Sequence, residues 1–318
     1  RQPVEVYRTQ RRGGRGISGV ARKDEDFVED MFITSTHDYV LFFTNRGKMY
    51  RMKGYEIPET GRAARGSHVV NLLPIEKDEK ISAMIRVDEV ENDSYLVMVT
   101  RNGTIKRTAL SAYRNVRKGG IIAINLEEGD ELAWVRNTTG EDDLIIATRQ
   151  GVAIRFAESD VRPMGRTATG VRAIRLDEGD EVIAMATCEE GGYLLTVTEN
   201  GQGRRTALGE YRTQNRGGRG VRNYDCEGKG TLVAGVRVVG EEDDVILIAD
   251  DGIIIRIPCK QIAVQSRYGG GVHAMRLEEG SRVVALARAP REEDDENPDE
   301  GEDAENTAEP VSYTHLTL

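Results

Sequence analysis

The sequence has few of the residues that disulfide frameworks, metal centres and membrane spans require. Its 318 residues include 3 cysteines and 4 histidines, which are scattered along the chain. An odd number of widely separated cysteines argues against a disulfide framework, and unclustered histidines argue against a metal site. No apolar run approaches the roughly 18 residues of a membrane-spanning helix. The sequence therefore predicts reduced cysteines, no bound metal and no membrane span.

Signatures of nucleotide binding and of common catalytic sites are also missing. No GxxxxGK[ST] loop is present, and the Gly-Lys pair Gly228–Lys229 is followed by Gly230 rather than by Ser or Thr. No HExxH or GxSxG motif and no paired-carboxylate constellation stands out. None of the 11 tyrosines can be assigned a catalytic role from the sequence. We therefore expect no catalytic residue and no cofactor in this chain.

The formal charge of −10 is unevenly distributed. Residues 291–310 contain 11 acidic residues and 1 basic residue, so the rest of the chain is neutral in sum. Such a segment, low in apolar residues and rich in acid, is typical of a disordered tail. The last eight residues, VSYTHLTL, break this composition abruptly. We expect a structured body over 1–290, a disordered acidic tail over 291–310, and a foreign or unstructured end over 311–318.

An apolar hairpin recurs about every fifty residues. Each copy is an apolar strand, a turn with glycine and a second strand that ends in a basic residue, which is a hairpin signal because glycine supplies the positive φ of the turn. The copies are LFFTNRGKMYR (41–51), LVMVTRNGTIKR (96–107), LIIATRQGVAIR (144–155), LLTVTENGQGRR (194–205) and VILIADDGIIIR (245–256).

A basic loop with glycine, followed by an alternating strand, recurs with the same period. Its aligned glycines are Gly16, Gly66, Gly120, Gly170, Gly220 and Gly271. An acidic turn and another apolar strand follow in most copies, so each unit holds about four short strands. Four strands per repeat of 40–50 residues predict a propeller-like all-β ring rather than two unrelated β-sandwiches.

The repeat register predicts a truncation. Six loops are present but only five hairpins, because the first hairpin would lie just upstream of Arg1. At the other end, the next hairpin would fall inside the acidic tail. We therefore expect a ring with one incomplete blade at the seam.

Basic residues concentrate in the loops that follow the hairpins. Arginine forms bidentate pairs with phosphate, and glycine lets a backbone approach it closely. The acidic turns fall elsewhere in the repeat, so a neutral body can present a basic belt for DNA. The strongest element is QRRGGRG, which we interpret as a phosphate clamp rather than a solvated turn: Gln10, Arg11, Arg12, Gly13, Gly14, Arg15 and Gly16. The other candidate DNA-binding residues are Arg62, Arg65, Arg114, Arg117, Lys118, Arg162, Arg166, Arg204, Arg205, Arg212, Arg216, Arg219 and Arg267.

The motif QRRGGRG resembles the GyrA box, which occurs in the A subunit of bacterial DNA gyrase. The hairpins and basic loops resemble the C-terminal domain of that protein over about residues 1–290. The family often has lysine at the position of Arg15. The resemblance implies a six-bladed β-pinwheel that wraps DNA with positive handedness around its rim, so that gyrase introduces negative supercoils. It also implies that the acidic tail modulates wrapping.

The resemblance further implies partners and a location. They are double-stranded DNA, the breakage-reunion domain that would precede this chain, and the B subunit of gyrase in an A2B2 complex in the bacterial cytoplasm, at the nucleoid. ATP and magnesium are expected in other parts of that enzyme. Two alternatives stay open: the C-terminal domain of the A subunit of topoisomerase IV, in which the box is degenerate or absent, and a propeller that acts as a protein-interaction scaffold.

Overall fold

The computed structural model describes residues 1–3, 31–61, 66–87, 93–188, 192–289 and 313–317. The predicted clamp at 10–16, Arg62, Arg65 and the acidic tail at 291–310 lie outside these ranges. In the described ranges the chain is almost entirely strand and turn, as the sequence predicts.

The strands are short, and most belong to hairpins. In chain order they are β1 (Gln2–Pro3), β2 (Met31–Ser35), β3 (Tyr39–Thr44), β4 (Lys48–Lys53), β5 (Ile81–Val87), β6 (Tyr95–Thr100), β7 (Thr104–Ala109), β8 (Ile121–Ile122), β9 (Leu132–Thr138), β10 (Asp143–Thr148), β11 (Val152–Ala157), β12 (Val171–Arg172), β13 (Val182–Thr187), β14 (Tyr193–Thr198), β15 (Gln202–Ala207), β16 (Val221–Arg222), β17 (Val233–Val239), β18 (Asp244–Ala249), β19 (Ile254–Pro258), β20 (Val272–His273), β21 (Val283–Ala289) and β22 (Tyr313–Thr317).

The helical segments are single turns. The 3-10 turns are Gly54–Glu56, Val69–Asn71, Leu110–Tyr113, Glu158–Asp160, Leu208–Glu210 and Cys259–Gln261, and the α-helix α1 is Cys226–Lys229.

Each of the five hairpins belongs to its own sheet, and in four of these sheets the hairpin supplies the two central strands. Four sheets have four strands in the orders β5-β3-β4-β8, β9-β6-β7-β12, β13-β10-β11-β16 and β17-β14-β15-β20. The last strand of each order is very short and comes from the repeat that follows the hairpin. Neighbouring blades therefore exchange a strand. The all-β class and the propeller-like arrangement of small four-stranded sheets are confirmed.

The first strand in each sheet order lies on the inner side of the ring, next to the corresponding strands of the neighbouring sheets. β5, β9, β13, β17 and β21 each pack against the next. The hairpin lies outside that strand, and the short strand is outermost. An apolar cluster fills the space between each pair of neighbouring sheets, as in the cluster that joins Val97 and Ile105 of one sheet to Ile146 and Phe156 of the next. The short strands β8, β12, β16 and β20 thus mark the outer rim.

The expectation of six blades is wrong for the described residues, which form five hairpin-based blades. Within the described ranges the hairpin motif occurs five times, and each copy belongs to its own sheet. The fifth sheet, β21-β18-β19, has three strands within the described ranges. By the repeat, its fourth strand would follow Gly16, which lies outside those ranges.

The end of the chain differs from the expectation as well. Residues 311–318 were expected to be foreign or unstructured, yet Tyr313–Thr317 forms β22. This strand lies between β1 and β2, and Ile33 is opposite His315. The strand covers five residues of this segment, and its assignment as foreign sequence stays a prediction.

In the four four-stranded sheets, the carbonyl of the hairpin-turn glycine accepts backbone hydrogen bonds from the chain that follows the outermost strand. Gly151 has φ +86°, and its carbonyl oxygen accepts hydrogen bonds from the backbone N–H groups of Asn223 at 2.7 Å and Tyr224 at 2.9 Å. A Cβ added to Gly151 would lie 2.3 Å from the carbonyl oxygen of Tyr224. The same contact recurs at Gly47, Gly103 and Gly201.

Buried cations occupy one position in alternate blades. Three residues after the turn glycine lie Lys106 and Arg204, both fully buried, whereas Ile154 holds that position in the blade between them. Lys106 donates hydrogen bonds to the carbonyl oxygens of Ala123 and Arg166. Each cation thus donates to backbone carbonyls near the rim, and such pairing lowers the cost of burying polar groups.

The pKa of Lys106 is lowered to about 7, first by burial and then by the nearby charge of Arg166. Between that pH and the ordinary value of 10.5, the unfolded chain binds a proton that the folded chain lacks. Stability contributed through this group therefore rises with pH across that window and is unchanged below it.

Replacing Gly151 with alanine is expected to destabilise the domain by more than about 1–2 kcal/mol. The left-handed backbone alone costs an L-residue that much, and the new Cβ would also collide with the carbonyl of Tyr224. Urea unfolding measures the loss. The matched control is Gly129→Ala, because Gly129 has φ +78° and no atom within 4 Å of the added Cβ. Equal losses in the two variants would contradict the role of the strand contact.

Lys106→Arg is expected to remove the pH dependence that Lys106 adds, because arginine stays protonated. Arg204 makes the same kind of contact, so the variant should fold. Relative to Lys106→Arg, the stability of the unmodified protein should rise with pH between about 7 and 10.5, by at most about 1.4 kcal/mol per pH unit. Urea unfolding at several pH values tests this. Parallel profiles for the two proteins would show that Lys106 titrates normally.

Candidate nucleic-acid interface

The basic loops lie at the outer rim. We call the segments 114–120, 162–170, 212–220 and 263–271 the rim loops; each joins a 3-10 turn to one of the short outermost strands. Their backbones run beside the second hairpin strand of the neighbouring sheet, with isolated parallel bridges such as Arg107–Pro163 and Arg155–Thr213. Because both flanking elements are fixed by backbone hydrogen bonds, the rim loops hold similar positions in successive blades.

Six of the predicted DNA-binding residues are exposed on these loops. Three of them, Arg114, Arg162 and Arg212, hold the same place in successive repeats, eleven residues after the turn glycine. The exposed residues are Arg114, Arg117, Lys118, Arg162, Arg212 and Arg219. They bring positive charge to the perimeter at intervals of about one blade.

The segment QNRGGRG (214–220) gives the described geometry closest in sequence to the QRRGGRG motif. The backbone N–H of Gly217 donates to the carbonyl oxygen of Ala173 at 2.7 Å, and the carbonyl oxygen of Gly218 accepts from the N–H of Arg175 at 2.8 Å. Gly217 and Gly220 have φ of +82° and +75°. The glycines thus hydrogen-bond the loop to the residues that follow β12 of the preceding repeat. Arg219, just before Gly220, keeps 70% of its side chain exposed, and its distance of 4.0 Å to Asp177 makes a weak, screened pair.

Arg204 and Arg205 do not belong to the exposed set, which corrects their assignment as DNA contacts. Arg204 is fully buried and Arg205 is 5% exposed. Arg204 donates to the carbonyl oxygens of Arg267 and Gly269, both at 2.8 Å. Arg205 donates to the carbonyl oxygen of Ile262 at 2.8 Å and stacks on the ring of Tyr193. Both guanidinium groups stabilise the neighbouring rim loop from inside.

The remaining three described candidates are half-buried. Arg166, Arg216 and Arg267 each lie four residues before the loop glycine, and each donates a hydrogen bond to a carbonyl oxygen of the preceding short strand. Arg267 also lies over the exposed ring of Tyr268. The structure therefore separates the candidates into exposed, half-buried and buried groups that the sequence does not distinguish.

The acidic turns lie at the start of the inner strands, and one of them reaches a rim loop, where Asp177 lies 4.0 Å from Arg219. Arg101 pairs with Glu131 at 3.1 Å and with Glu181 at 3.2 Å. Arg149 pairs with Glu181 at 3.4 Å and with Glu199 at 2.7 Å. This chain of ion pairs crosses successive blades and neutralises part of the acidic charge. Glu131 and Glu181 of the acidic turns thus pair with arginines of the hairpin turns rather than with those of the rim loops.

Sequence reasoning missed several exposed basic residues of the short strands and the segments that follow them. Arg172 and Arg222 are the second residues after their loop glycines, and Arg175 and Arg276 are the fifth residues after theirs; all four are exposed. Arg172, Arg175 and Asn102 line a surface recess of about 460 Å³. The sequence pattern that could have identified Arg172 and Arg175 is GVRAIR (170–175), in which arginine alternates with buried or half-buried apolar residues. Tyr268, 72% exposed on a rim loop, was missed as well.

Two further searches concern other kinds of site. Among the described residues, no group of three or more His, Cys, Asp and Glu side chains could hold a metal ion. Within the same part of the chain, no helix has the length and apolar character needed to cross a membrane. Cys188, Cys226 and Cys259 are not disulfide-bonded, and burial raises the pKa of each to about 11.

Known proteins resemble this chain in sequence. The DNA gyrase A subunit of Halalkalibacterium halodurans is 56% identical over 300 residues, which cover 94% of this chain and 36% of that protein. The DNA gyrase A subunit of Clostridium acetobutylicum is 50% identical over 312 residues, which cover 98% of this chain and 37% of that protein. The chain spans about a third of the length of these relatives.

Solved structures share the fold. The C-terminal domain of DNA topoisomerase IV superposes with a TM-score of 0.76 at 29% identity, covering 85% of this chain and 84% of that one. A DNA gyrase A C-terminal domain superposes with a TM-score of 0.74 at 26% identity, covering 90% of this chain and 94% of that one.

The family comparison covers nearly the whole body of the chain. The model of the DNA gyrase C-terminal domain, beta-propeller, matches residues 1–35, 38–88, 94–139, 142–189, 192–239 and 243–290. These six segments follow the repeats derived from the sequence, with the first one shortest. The chain therefore belongs to the DNA gyrase C-terminal domain family.

Proposed function

We propose that this domain binds double-stranded DNA along its outer rim and wraps it around the ring with positive handedness. The observation that carries the proposal is the recurrence of an exposed arginine at one position of successive rim loops: Arg114, Arg162 and Arg212. Arginines spaced along a curved perimeter suit contacts to the phosphate backbone, which position DNA without reading its sequence.

The energetics require many such contacts. Bending 20–30 base pairs smoothly by 40–90° costs on the order of 1–6 kcal/mol, and a wrap around the ring bends DNA further. No single loop can offset that cost, but a contact repeated in each blade can. Binding of this kind is weakly sequence-specific and steeply salt-dependent, because each neutralised phosphate releases counterions. The clamp residues Gln10 to Gly16, together with Arg62 and Arg65, extend the same belt in this proposal.

In the whole enzyme, wrapping would present a DNA segment for strand passage in the direction that introduces negative supercoils. The proposed partners are the breakage-reunion domain, which would precede this domain in the same polypeptide, and the B subunit of gyrase, in an A2B2 complex that uses ATP and magnesium elsewhere. A location in the bacterial cytoplasm, at the nucleoid, belongs to the same proposal.

A second candidate is the role of a topoisomerase IV C-terminal domain. The superposition on that domain favours it, since its TM-score is as high as that of the gyrase structure. The intact motif QRRGGRG and the identity of 50% or more to two gyrase A subunits favour gyrase. The acidic segment 291–310 would then act as a tethered polyanion that competes with DNA for the rim.

Removing two exposed rim arginines is expected to weaken DNA binding and wrapping. For Arg162→Gln with Arg212→Gln, the slope of log K against log salt should become shallower by up to about 1.8, because each lost phosphate contact removes about 0.9. Fluorescence anisotropy with a duplex measures the slope. Ligation of nicked circular DNA measures the linking-number shift, which should be smaller than for the unmodified chain.

The charge-matched control is Lys77→Gln with Lys80→Gln. Both lysines are exposed on an acidic turn away from the rim, so the slope and the linking number should be unchanged. If the unmodified chain binds DNA but shifts no linking number, the topoisomerase IV role gains support. If it binds no DNA at low salt, the proposed function is wrong and a protein-interaction scaffold is favoured.

Deleting residues 291–310 is expected to raise DNA affinity, most strongly at low salt. The segment carries a net charge of −10, and its attraction to the basic rim is screened as ionic strength rises. Anisotropy titrations at two salt concentrations compare the deletion with the full chain. A scrambled 291–310 segment of the same composition should behave like the original. Unchanged affinity and unchanged linking number after deletion would rule out competition by the tail.

A further inference from the structure

Three arginines link each described rim loop to the next. Arg166 donates from Nη1 to the carbonyl oxygen of Ile122 at 2.6 Å, and Arg267 donates from Nη1 to the carbonyl oxygen of Arg222 at 2.8 Å. Arg216 donates to the carbonyl oxygen of Arg172 and, from Nε, to that of Asp160 at 3.2 Å. We call Arg166, Arg216 and Arg267 the clasp arginines.

The acceptors of these bonds lie on the outermost strands. Ile122, Arg172 and Arg222 are the last residues of β8, β12 and β16, and each of these strands follows the rim loop that precedes the clasp arginine in the ring. Each clasp arginine therefore joins its own loop to the previous one. The result is a continuous chain of loop-to-loop contacts along the perimeter.

The clasp arginines differ from the exposed arginines of the same loops. Arg162 and Arg166 share one loop, and Arg212 and Arg216 share the next. In each pair the first residue is exposed, while the second is half-buried and hydrogen-bonded to backbone carbonyls. Those carbonyl bonds fix the direction of the guanidinium group along the rim, toward the neighbouring loop.

Buried cations support two of the three clasps from below. Lys106 donates to the backbone carbonyl of Arg166 itself, and Arg204 donates to the backbone carbonyl of Arg267. The main chain of these clasp arginines is thus held from inside while the side chain reaches along the rim. Both the main chain and the guanidinium group of these arginines are therefore fixed by hydrogen bonds. A residue that sets the distance between two loops needs both to be fixed.

We infer that the clasp arginines are positioning residues that set the spacing of successive rim loops, while the exposed arginines contact phosphate. The inference rests on the proposed function, because spacing matters only if DNA follows the rim. Aligned by their loop glycines, the repeats assign different roles to two arginines of QRRGGRG. Arg12 lies four residues before Gly16, which is the clasp position, and Arg15 aligns with the exposed Arg219. Arg62 holds the clasp position of the second loop. Val116 replaces it in the third.

The consequence separates two properties of DNA binding. A phosphate contact adds to the counterion release, so its loss changes the salt slope. A clasp adds no phosphate contact, so its loss leaves the slope unchanged. Loss of the clasp lets neighbouring rim loops move relative to each other. DNA that wraps around the rim must contact successive rim loops at the same time, so it depends on their spacing. Loss of the clasp should therefore reduce wrapping more than it reduces local binding.

The test compares two double variants of the same two loops in the full chain. Arg162→Gln with Arg212→Gln removes exposed arginines, and Arg166→Gln with Arg216→Gln removes clasps. On a short duplex that spans few loops, the first should make the salt slope shallower by up to about 1.8 and the second should leave it unchanged. In ligation of nicked circular DNA, the clasp variant should lose linking-number shift despite its unchanged slope.

A conservative change adds a readout that a general loss of fold would not give. Lysine keeps the charge, so Arg212→Lys should keep the slope. Arg216→Lys cannot reach two carbonyl oxygens with a rigid fork, so it should still lose linking-number shift. Hydrogen exchange of the amides in 171–175 and 214–220 reports whether the clasp loosens these segments in a protein that stays folded by circular dichroism.

The outcomes separate the two proposals. If the clasp variant changes the slope as much as the exposed-arginine variant does, the clasp arginines contact phosphate and the inference is wrong. If it changes neither slope nor linking number, the spacing role is wrong. If the unmodified chain shows no salt-dependent binding to the duplex, the proposed function fails first.

Discussion

The hydrogen bond between the carbonyl of a hairpin-turn glycine and the backbone of the next repeat is the contact on which this structure depends. It needs a left-handed residue without a Cβ, because the incoming strand passes where the Cβ would lie, as at Gly151. Through this bond every hairpin of the four-stranded sheets receives a strand that belongs to the next repeat. The blades are therefore not independent units. One local constraint fixes both the sheet order and the place of each rim loop at the perimeter.

The charges follow from that arrangement. The acidic turns precede the inner strands, and there Glu131 and Glu181 pair with arginines of the hairpin turns. Glu199 of one hairpin turn pairs with Arg149 of another. The basic loops precede the outermost strands, so their exposed arginines meet solvent at the rim. The body is neutral in sum, yet its acidic turns lie before the inner strands and its exposed rim-loop arginines lie at the perimeter. The buried Lys106 and Arg204 fit this arrangement because carbonyls of rim loops, rather than carboxylates, satisfy them.

The sequence predicted the period, the hairpins and the separation of charge, because glycine turns and alternating apolar residues determine these features locally. It did not predict the fate of individual arginines. Arg204 and Arg205 lie on a second hairpin strand, as basic residues do in every repeat, yet their neighbours in space bury them. Arg172 looked like an ordinary strand residue, yet its strand is the outermost one. Which arginine is exposed depends on strand exchange between blades, and that is a property of tertiary structure. β22 lies outside the repeat, so the periodicity gave no register for its pairing with β1 and β2.

The same reasoning explains why one arginine-rich loop can serve two purposes. Within QNRGGRG, hydrogen bonds to residues 172–175 of the preceding repeat engage the backbone of Gly217 and Gly218 and the side chain of Arg216. The side chain of Arg219 extends to solvent. A loop held by its own backbone can present a cation without using that cation for its own folding. Since a donor that is already positioned loses less entropy when it binds, this division favours binding to a rigid, curved duplex. The glycines are therefore as necessary to the interface as the arginines, although they contribute no charge.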